Sequence, residues 1–341
     1  MPASSSNTLA LVVIARNERA RLARCLNSAR PHVDRMLVLD TGSSDDTVAI
    51  ARQCGAEVHH FTWVDDFSAA RNTALALADA DWNLVLDADE WIDDWGLARD
   101  DLAACPPCLG LLLLRDIEQS TGQDLVQTSW IPRLLPRGVR YAGRIHEQPV
   151  ADLPLQRLPI AIHHDGYTQA ALAQKKGRNR ALLQAELALS PDNPYVLYQL
   201  GKDHEVYGEL DAAAAHYLQA LARLQGQWAY EHDLTCRAVS CLSRAGRVDA
   251  ALQLVREKTA LYDNSPDFHF IEGNALLDKA VQDPAQAVAT WLPQALAAWQ
   301  RCLQIGEQPG LDGAIHGRGS FLAQHNIQVV QGLMREMPPA T

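Results

Sequence analysis

The stretch Trp82–Glu90 has the sequence WNLVLDADE. Its first five residues form a mostly apolar run of strand length, and the acidic residues Asp87, Asp89 and Glu90 follow at once. Side chains alternate along an extended chain, so two carboxylates separated by one residue point to the same side. The stretch therefore predicts a strand that ends at an acidic site.

Strand-like and helix-like segments alternate before this stretch. Short apolar runs typical of buried strands are Leu9–Ile14, Met36–Leu39, Ala56–Phe61 and Trp82–Leu86. Segments with helical spacing or capping residues lie between them, at Asn17–Ala29, Asp46–Cys54 and Ser68–Ala78. Strands and helices that alternate in this way indicate an α/β domain with a mostly parallel sheet.

The character of the sequence changes in its second half. Four more strand-like segments come first, at Leu109–Arg115, Leu125–Ile131, Arg140–His146 and Leu158–His164. We expect them to complete the first domain as a mixed sheet. Long Ala/Leu-rich stretches follow, with a first long helix expected over Gln169–Leu189 and another beginning near Pro194. The predicted organisation is an α/β domain over residues 8–167 and an all-α domain over residues 168–337.

The helical half contains a repeat. Two helix pairs share a turn glycine, at Gly208 and Gly246, which lie 38 positions apart. Small residues, alanines and aromatic residues recur at comparable places around these glycines. A third, looser pair is predicted over Phe270–Cys302, with Gly273 and Trp299 in comparable places. This arrangement resembles the tetratricopeptide pattern, although its spacing is irregular.

Composition and charge exclude several classes of protein. The chain has 341 residues, of which 48% are apolar and 21% charged, enough for buried cores in two domains. Its net charge of −11 argues against a nucleic-acid partner. Met1–Thr8 carries no charged leader region, and no apolar run approaches the roughly 20 residues of a membrane helix. Seven cysteines without a secretion signal favour the cytoplasm, and Cys105-Pro-Pro-Cys108, which has no second pair, is interpreted as a loop.

Polar clusters follow three of the predicted parallel strands. They are Arg16-Asn17-Glu18, Asp40-Thr41-Gly42 and Asp87-Ala88-Asp89. Ligands of open α/β sheets bind beyond the carboxyl ends of the strands. No dinucleotide glycine fingerprint or phosphate-loop motif is present, so hydride transfer and phosphate-loop kinase activity are disfavoured. Carboxylates in this place suit Mg²⁺ or Mn²⁺, and such a cation can bridge to a diphosphate.

Four motifs together resemble the family-two glycosyltransferases of the GT-A fold. They are Val12–Glu18, Val38–Thr47, Phe67–Asn72 and Leu86–Glu90, and their order and spacing match the family over about residues 8–95. The later segments Gly143–Glu147 and His164–Tyr167 resemble a bacterial subgroup. This subgroup includes sublancin-type peptide S-glycosyltransferases and lipopolysaccharide-core glucosyltransferases, and some members carry tetratricopeptide repeats. The resemblance implies a GT-A domain with a Rossmann-like mixed sheet, followed by a helical repeat domain.

The resemblance also implies a UDP-sugar donor and a set of residues that bind it. The nucleotide-sugar site is expected to include Ala15, Arg16, Asn17, Glu18, Asp40, Arg71, Asp87 and Ala88. Within this set, Asp40 is expected to accept a hydrogen bond from uracil, and Arg71 to contact the base or the diphosphate. Asp87 is expected near the ribose and the metal. The loop containing Trp63, Asp65 and Asp66 is a further candidate for contact with the donor sugar.

The metal and catalytic residues follow from the same resemblance. Asp89 is expected to ligate Mn²⁺ or Mg²⁺ through the DXD motif, and His164 is the preferred histidine ligand. His146 and His163 are the other candidates, whereas His59 and His60 are interpreted as surface residues. Glu147 is the candidate general base that takes the proton of the acceptor. Its alternative role is an ion pair with Arg144.

These expectations give one preferred function and two alternatives. The preferred function is a metal-dependent, inverting hexosyltransferase that uses a UDP-sugar and acts on a protein, peptide or saccharide acceptor, which the repeats could hold. A homodimer through the repeat helices is also open. The first alternative is an inactive sugar-nucleotide fold that serves as an interaction scaffold. The second, a sugar-nucleotide pyrophosphorylase, is disfavoured because Ala15–Glu18 is not a glycine-rich nucleotide loop.

Overall fold

The computed structural model describes residues 7–119, 124–164, 177–226 and 228–336. The chain divides into two compact units. The first comprises Met1–Asp124 and Ser129–Leu182, and the second comprises Leu125–Thr128 and Leu183–Thr341. The predicted boundary between residues 167 and 168 lies outside the described residues.

The first unit contains a mixed sheet with helices on its faces. Its strands are β1 (Leu9–Ala15), β2 (Arg35–Asp40), β3 (Glu57–His60), β4 (Trp82–Asp87), β5 (Glu90–Trp95), β6 (Leu109–Gln119), β7 (Asp124–Pro136), β8 (Arg140–Ala142), β9 (Gln148–Val150) and β10 (Leu155–His164). Its helices are α1 (Leu22–Ala29), α2 (Thr47–Gln53), α3 (Phe67–Ala78) and α4 (Arg99–Ala104).

The strand order of the main sheet is β3-β2-β1-β4-β7-β6-β10-β5, and β8 pairs with β9 in a separate ribbon. Strands β1 to β4 are parallel, as predicted, whereas β7 runs antiparallel to β4 and β5 runs antiparallel to β10. Both faces of β1 are buried: Leu11 and Val13 belong to one apolar cluster, and Ala10 and Val12 to another. A strand covered on both faces must be apolar throughout, which explains the continuous run in the sequence.

Several predicted elements differ in their bounds. The first helix begins at Leu22 instead of Asn17, because Asn17 has a left-handed φ of 58° and the chain turns there. The predicted strand Arg140–His146 ends at Ala142, because Gly143 adopts a φ of 97°. Strands β5 and β9 and helix α4 were not predicted. Cys105 and Cys108 lie between α4 and β6, as the loop interpretation required.

Strand β10 changes register along its length. Against β6 the register shifts between Arg157 and Ala161, and against β5 it shifts between Ala161 and Ile162. Beyond these irregularities the pairing is regular up to His164. The register is therefore set separately at the two ends of the strand.

The second unit is helical. Its helices are α5 (Arg178–Leu189, whose last residues belong to this unit), α6 (Pro194–Val206), α7 (Leu210–Arg223), α8 (Glu231–Arg244), α9 (Val248–Tyr262), α10 (Pro266–Gln282), α11 (Pro284–Gln286), α12 (Leu292–Ile305) and α13 (Phe321–Glu336), with a π-helical turn at Ala287–Trp291. The short strand β11 (Ala314–Ile315) pairs with Gln127 and Thr128, which lie in the part of β7 that belongs to this unit. Asn193 caps α6, which starts at the predicted place. Residues 169–176 of the helix predicted over Gln169–Leu189 lie outside the described residues. A single continuous helix is wrong at Gly177, where φ is 87°, and the described helix α5 begins at Arg178.

Close packing at two glycines explains the repeat pattern. A Cβ atom at Gly201 of α6 would lie 2.3 Å from the ring of Tyr217 on α7. A Cβ atom at Gly273 of α10 would lie 2.4 Å from the ring of Trp299 on α12. Both aromatic side chains are fully buried. The same contact between a glycine and an aromatic ring thus packs the two helices together in the first and in the third helix pair. This agrees with the predicted third pair, in which Gly273 and Trp299 were placed. Among the helices within the described ranges, none has the length and apolarity needed to cross a membrane.

Candidate functional site

Sheet register brings the predicted polar clusters to one edge. Ala15 at the end of β1 pairs with Asp40 at the end of β2, and Ile14 pairs with Asp87 at the end of β4. The carboxyl ends of these three parallel strands therefore form one row. The predicted clustering of these strand ends is confirmed.

The loops after β1 and β2 are held together by hydrogen bonds. Asn17 Oδ1 accepts a hydrogen bond from the Ser44 amide at 2.8 Å, and the Asn17 amide donates to Ser43 Oγ at 3.0 Å. The Glu18 amide donates to Thr47 Oγ1 at 2.8 Å. Ala15 is buried, whereas the side chain of Arg16 is exposed. These bonds fix the backbone of the loop that is expected to line the nucleoside.

Asp40 is buried beneath this loop. Its carboxylate accepts hydrogen bonds from the amides of Ser43 at 3.1 Å and Gly42 at 3.2 Å, and His60 Nδ1 lies 3.3 Å from Oδ2. Burial raises the pKa of Asp40, but the bonds from Ser43, His60 and Gly42 outweigh it and hold the pKa below its usual value. Asp40 is therefore a charged acceptor at neutral pH. His60, interpreted as a surface residue, is exposed but contacts Asp40.

Arg71 joins two of the predicted site residues. From helix α3, its Nε donates to Glu147 Oε1 and its Nη2 donates to Asp87 Oδ1 at 2.5 Å. Side chains of Arg71 and Glu147 are each only 7% exposed. Burial raises the pKa of Asp87, but the charges of Arg71 and Arg133 overcome this effect and hold the pKa well below its usual range. The ion pair of Glu147 thus forms with Arg71, not with Arg144 as in the alternative weighed from the sequence.

Arg133 and Tyr141 belong to the same cluster and were not found by sequence reasoning. Arg133 of β7 donates to Asp87 Oδ2 at 2.7 Å and also to Glu90 Oε1. Glu90 Oε2 in turn accepts from the amide of Asp87 at 2.9 Å. Three buried polar atoms here have no partner in the part of the chain that the structure describes: Arg71 Nη1, Arg133 Nε and Tyr141 Oη. Buried polar atoms without a partner are uncommon, and a polar ligand or water can satisfy them.

The turn between β8 and β9 presents Glu147. Gly143 adopts a φ of 97°, and His146 adopts a left-handed φ of 51° that is uncommon for a residue with a side chain. Backbone strain of this kind is often concentrated at functional sites. His146 itself is exposed, whereas Glu147 is directed to Arg71.

A second group of side chains surrounds His164. Nε2 of His164 lies 3.4 Å from Asp89 Oδ2, and Nδ1 is hydrogen-bonded to Asp116 Oδ1. Burial lowers the pKa of His164, but the bonds to Asp116 and Asp89 outweigh it and raise the pKa to about 10. The preceding residue, His163, lies 3.3 Å from Asp93 and stacks on Trp91 instead.

The donor set of Asp89 and His164 fits a divalent cation. One carboxylate and one imidazole suit Mn²⁺. Within the described residues, no group of three or more His, Cys, Asp or Glu side chains converges on a metal position. Asp87 is engaged by two arginines. A cation here would take two protein ligands, and its remaining positions would be left to substrate oxygens and water, as is common for Mg²⁺ at phosphate sites.

The other predicted residues are more peripheral. Ala88 is buried between Asp87 and Asp89. Asp66 caps α3 by accepting from the amide of Ala69 at 2.9 Å, and Trp63 Nε1 donates to Asp65 at 2.8 Å. These bonds give Asp65 and Asp66 structural partners.

One arginine side chain close to the loop after β1 was not identified from the sequence. Burial and the positive charge of Arg16 lower the pKa of Arg178, which begins α5. The carboxylate of Asp65 partly offsets this effect, and the two arginines place positive charge beside the loop after β1. Neither the helical spacing nor a motif marks Arg178 in the sequence.

Comparison with known proteins identifies the family. Residues 10–97 match the model of Glycosyl transferase family 2. The TPR repeat-containing protein Synpcc7942_0270 of Synechococcus elongatus is 34% identical over 294 residues, which cover 82% of this chain and 72% of that protein. The SPbeta prophage-derived glycosyltransferase SunS of Bacillus subtilis is 29% identical over 228 residues, 63% of this chain and 53% of SunS. This chain therefore spans about half the length of SunS.

Part of the chain also resembles a solved structure. A structure of glucosyl-3-phosphoglycerate synthase from Mycobacterium tuberculosis in complex with Mn²⁺, uridine-diphosphate-glucose and phosphoglyceric acid matches 26% of this chain and 35% of its own chain. The identity is 28% and the TM-score 0.24.

The chain belongs to glycosyltransferase family 2. It is a glycosyltransferase with a mixed α/β unit followed by tetratricopeptide-like helical repeats. The family predicted from the motifs is confirmed, and so is the predicted mixed sheet followed by a helical region.

Proposed function

We propose that this glycosyltransferase moves a hexose from a UDP-sugar to an acceptor, with inversion at the anomeric carbon and with Mn²⁺ or Mg²⁺ as cofactor. The observation that carries the proposal is the approach of Asp89 Oδ2 to His164 Nε2 within 3.4 Å. The two residues lie 75 positions apart in the sequence, Asp89 in the turn between β4 and β5 and His164 at the end of β10. Their convergence gives a cation a carboxylate and an imidazole.

The donor nucleotide would lie along the row of strand ends. Asp40 is a charged acceptor suited to the N–H of uracil, and the backbone of Ala15–Glu18 would line the nucleoside. Arg16 and Arg178 would supply positive charge close by. Asp87 and Ala88 would lie near the ribose. Since Asp87 is held by two arginines, its role would be to position the donor and the cluster around it.

Asp89 and His164 would hold the cation. When bound, the cation would neutralise the charge of the departing diphosphate. Asp89 would supply a carboxylate oxygen and His164 would supply Nε2. The rest of the coordination shell is left to diphosphate oxygens and water.

Glu147 would act as the general base. Its carboxylate would accept the proton of the acceptor while the acceptor atom attacks the sugar from the side opposite the diphosphate. Arg71 fixes the carboxylate through Nε. The same arginine contacts Asp87, so the base and the donor-binding acid share one anchor.

The acceptor is proposed to be a protein, a peptide or a saccharide, held by the helical repeats. Stacked repeats form extended concave surfaces that bind such ligands. We further propose that the enzyme works in the cytoplasm and that its repeat helices could pair two copies. Light scattering measures the molar mass in solution and so shows whether two copies pair.

Release of UDP from a panel of UDP-hexoses, with and without Mn²⁺, tests the proposed function. The wild-type protein should release UDP only with the metal. Asp89→Ala and His164→Ala should each reduce the rate about 100-fold, because loss of the metal removes several kcal/mol of charge stabilisation. Asp93→Ala is the matched control, because Asp93 is an acidic residue on β5 that contacts His163 instead. Equal rates in Asp89→Ala and the wild type would contradict the metal site.

Two further measurements extend this experiment. UDP together with Mn²⁺ should raise the melting temperature of an active donor-binding enzyme by mass action. An interaction scaffold that retains only the fold would show no such shift. Mass spectrometry of acceptors that copurify with Asp89→Asn then identifies the acceptor class.

A further inference from the structure

His164 occupies the middle of a row formed by three strands. It lies on β10, opposite Asp116 of β6 and opposite Glu90 of β5. Residues paired across neighbouring strands project from the same face of a sheet. The backbone pairing alone therefore places an acidic residue on each side of His164.

Only one of the two flanking carboxylates bonds to His164 in the described contacts. Asp116 Oδ1 is hydrogen-bonded to Nδ1, whereas Glu90 accepts from Arg133 and from the amide of Asp87. A carboxylate can only accept, so this bond requires the proton to be on Nδ1. The other ring nitrogen, Nε2, then faces Asp89 at 3.4 Å.

We infer that Asp116 is a positioning residue, which fixes the ring orientation and tautomer of His164 so that Nε2 is presented to the divalent cation. This inference rests on the proposed function, because it presumes a cation between Asp89 and His164. Metal-binding histidines generally donate their second N–H to a carboxylate, a carbonyl or water, and loss of that partner typically weakens metal binding about 10–100-fold.

The adjacent histidine supplies an internal comparison. His163 also has a carboxylate neighbour, because Asp93 lies 3.3 Å from its Nε2. Asp93 also pairs with Arg115. The Nδ1 atom of His163 is buried with no hydrogen-bond partner in the described part of the chain. His164 thus has carboxylates at both ring nitrogens, and His163 does not share this arrangement.

The test is Mn²⁺ binding by the full chain in the presence of UDP, measured from the electron paramagnetic resonance signal of free Mn²⁺. A UDP-only blank corrects for Mn²⁺ bound to the nucleotide. Asp116→Ala should weaken Mn²⁺ binding about 10–100-fold. Asp116→Asn, which retains an acceptor oxygen, should lose less. Asp93→Asn is the matched control and should stay within twofold of the wild type.

A spectroscopic signature separates positioning from a general structural effect. Electron spin echo measurements on the bound Mn²⁺ should show coupling to an imidazole nitrogen in the wild type and in Asp93→Asn. The coupling should be lost in His164→Ala and lost or altered in Asp116→Ala. Circular dichroism confirms that each variant is folded, and Asp116→Asn serves if Asp116→Ala does not fold.

The outcomes distinguish this inference from the proposed function. If His164→Ala weakens Mn²⁺ binding but neither Asp116 variant does, the positioning role is overturned and the metal site stands. An equal loss in Asp116→Asn and Asp93→Asn would also overturn it. If His164→Ala and Asp89→Ala both bind Mn²⁺ like the wild type, the metal site fails and the positioning role fails with it.

Discussion

Arg71 donates a hydrogen bond to Glu147, a residue 76 positions further along the chain. The donor belongs to a helix that packs on the sheet, and the acceptor belongs to a turn between two short strands. A buried arginine in this place orients the carboxylate while also balancing its charge. The same guanidinium contacts Asp87, so loss of the arginine affects both carboxylates.

Replacement of this arginine should be strongly destabilising. Arg71→Met leaves the buried Glu147 without its partner and Asp87 with only Arg133, and loss of one partner of a buried ion pair costs about 3–5 kcal/mol. The double variant Arg71→Met/Glu147→Gln should recover part of this loss, because it removes one of the unpaired charges. Denaturation in urea measures both. Arg137→Gln, which breaks ion pairs on the surface with Asp79 and Asp81, is the control and should have little effect. A similar loss of stability in Arg71→Met and Arg137→Gln would contradict this account.

Glu147→Gln should separate catalysis from folding. The amide oxygen can still accept from Arg71 Nε, so the fold and donor binding should be retained. The amide cannot take a proton, and kcat should fall about 10²–10⁴-fold. Steady-state kinetics with the acceptor in excess checks the change, and KM for the donor should stay close to that of the wild type. Retention of kcat would show that another group takes the proton.

The two buried glycines of the repeats should tolerate no side chain. Gly201→Ala and Gly273→Ala place a Cβ atom within 2.3 and 2.4 Å of the rings of Tyr217 and Trp299. Overpacking of this kind costs about 1–3 kcal/mol. Gly332→Ala in α13 is the matched control, because no heavy atom other than those of its two chain neighbours and the nearby backbone of its own helix lies within 4 Å of its Cβ position. Since alanine is a better helix former, this control should gain about 0.5–1 kcal/mol. Urea midpoints that fall equally in all three variants would contradict the packing argument.

Low pH should destabilise the helical unit, because Asp233 becomes protonated. Burial raises the pKa of Asp233, but Arg237, Lys202 and the Tyr198 hydroxyl outweigh it and hold the pKa below the usual value. A carboxylate with a depressed folded pKa stabilises the fold above its unfolded pKa, about 3.9, and this contribution is lost as the pH falls towards the folded pKa.

The measurement is hydrogen exchange of α8 as a function of pH, analysed with the intrinsic exchange rates at each pH. Asp233→Asn should lower the opening free energy near pH 7 by about 1.5–3 kcal/mol, because a bond to a charged group is weakened. It should also flatten the decline of that free energy below about pH 4. An unchanged pH dependence would show that Asp233 does not carry it.

Local sequence pattern predicts the first half of the fold well, because β1, β2 and β4 are buried on both faces and read as continuous apolar runs. The row of polar residues at their ends is predictable too, because the carboxyl ends of parallel strands lie at one edge of the sheet. Strand β5 was missed, because its sequence EWIDDW carries two adjacent acids and lacks a clear alternation.

Sequence pattern did not identify Asp116, Arg133 or Tyr141. Asp116 meets His164 only through the pairing of β6 with β10, 48 positions apart. Arg133 reaches Asp87 across 46 positions. Contacts of this kind are determined by sheet order and register, which local periodicity does not specify. Asp116 and Arg133 also lie just beyond the ends of the predicted strands Leu109–Arg115 and Leu125–Ile131, and only Tyr141 falls within a predicted strand.

The irregular register of β10 bears on how this enzyme tolerates changes in length. Two consecutive histidines end the strand, and a slip of one residue would exchange which of them meets Asp116. Because the pairing register already shifts between Arg157 and Ile162, a change in length before these positions need not alter the pairing at the end of the strand. An insertion or deletion fixed during evolution can thus be accommodated early in the strand without moving His164. We expect diverged relatives to vary in length before Ala161 and to keep the spacing from Ile162 to His164.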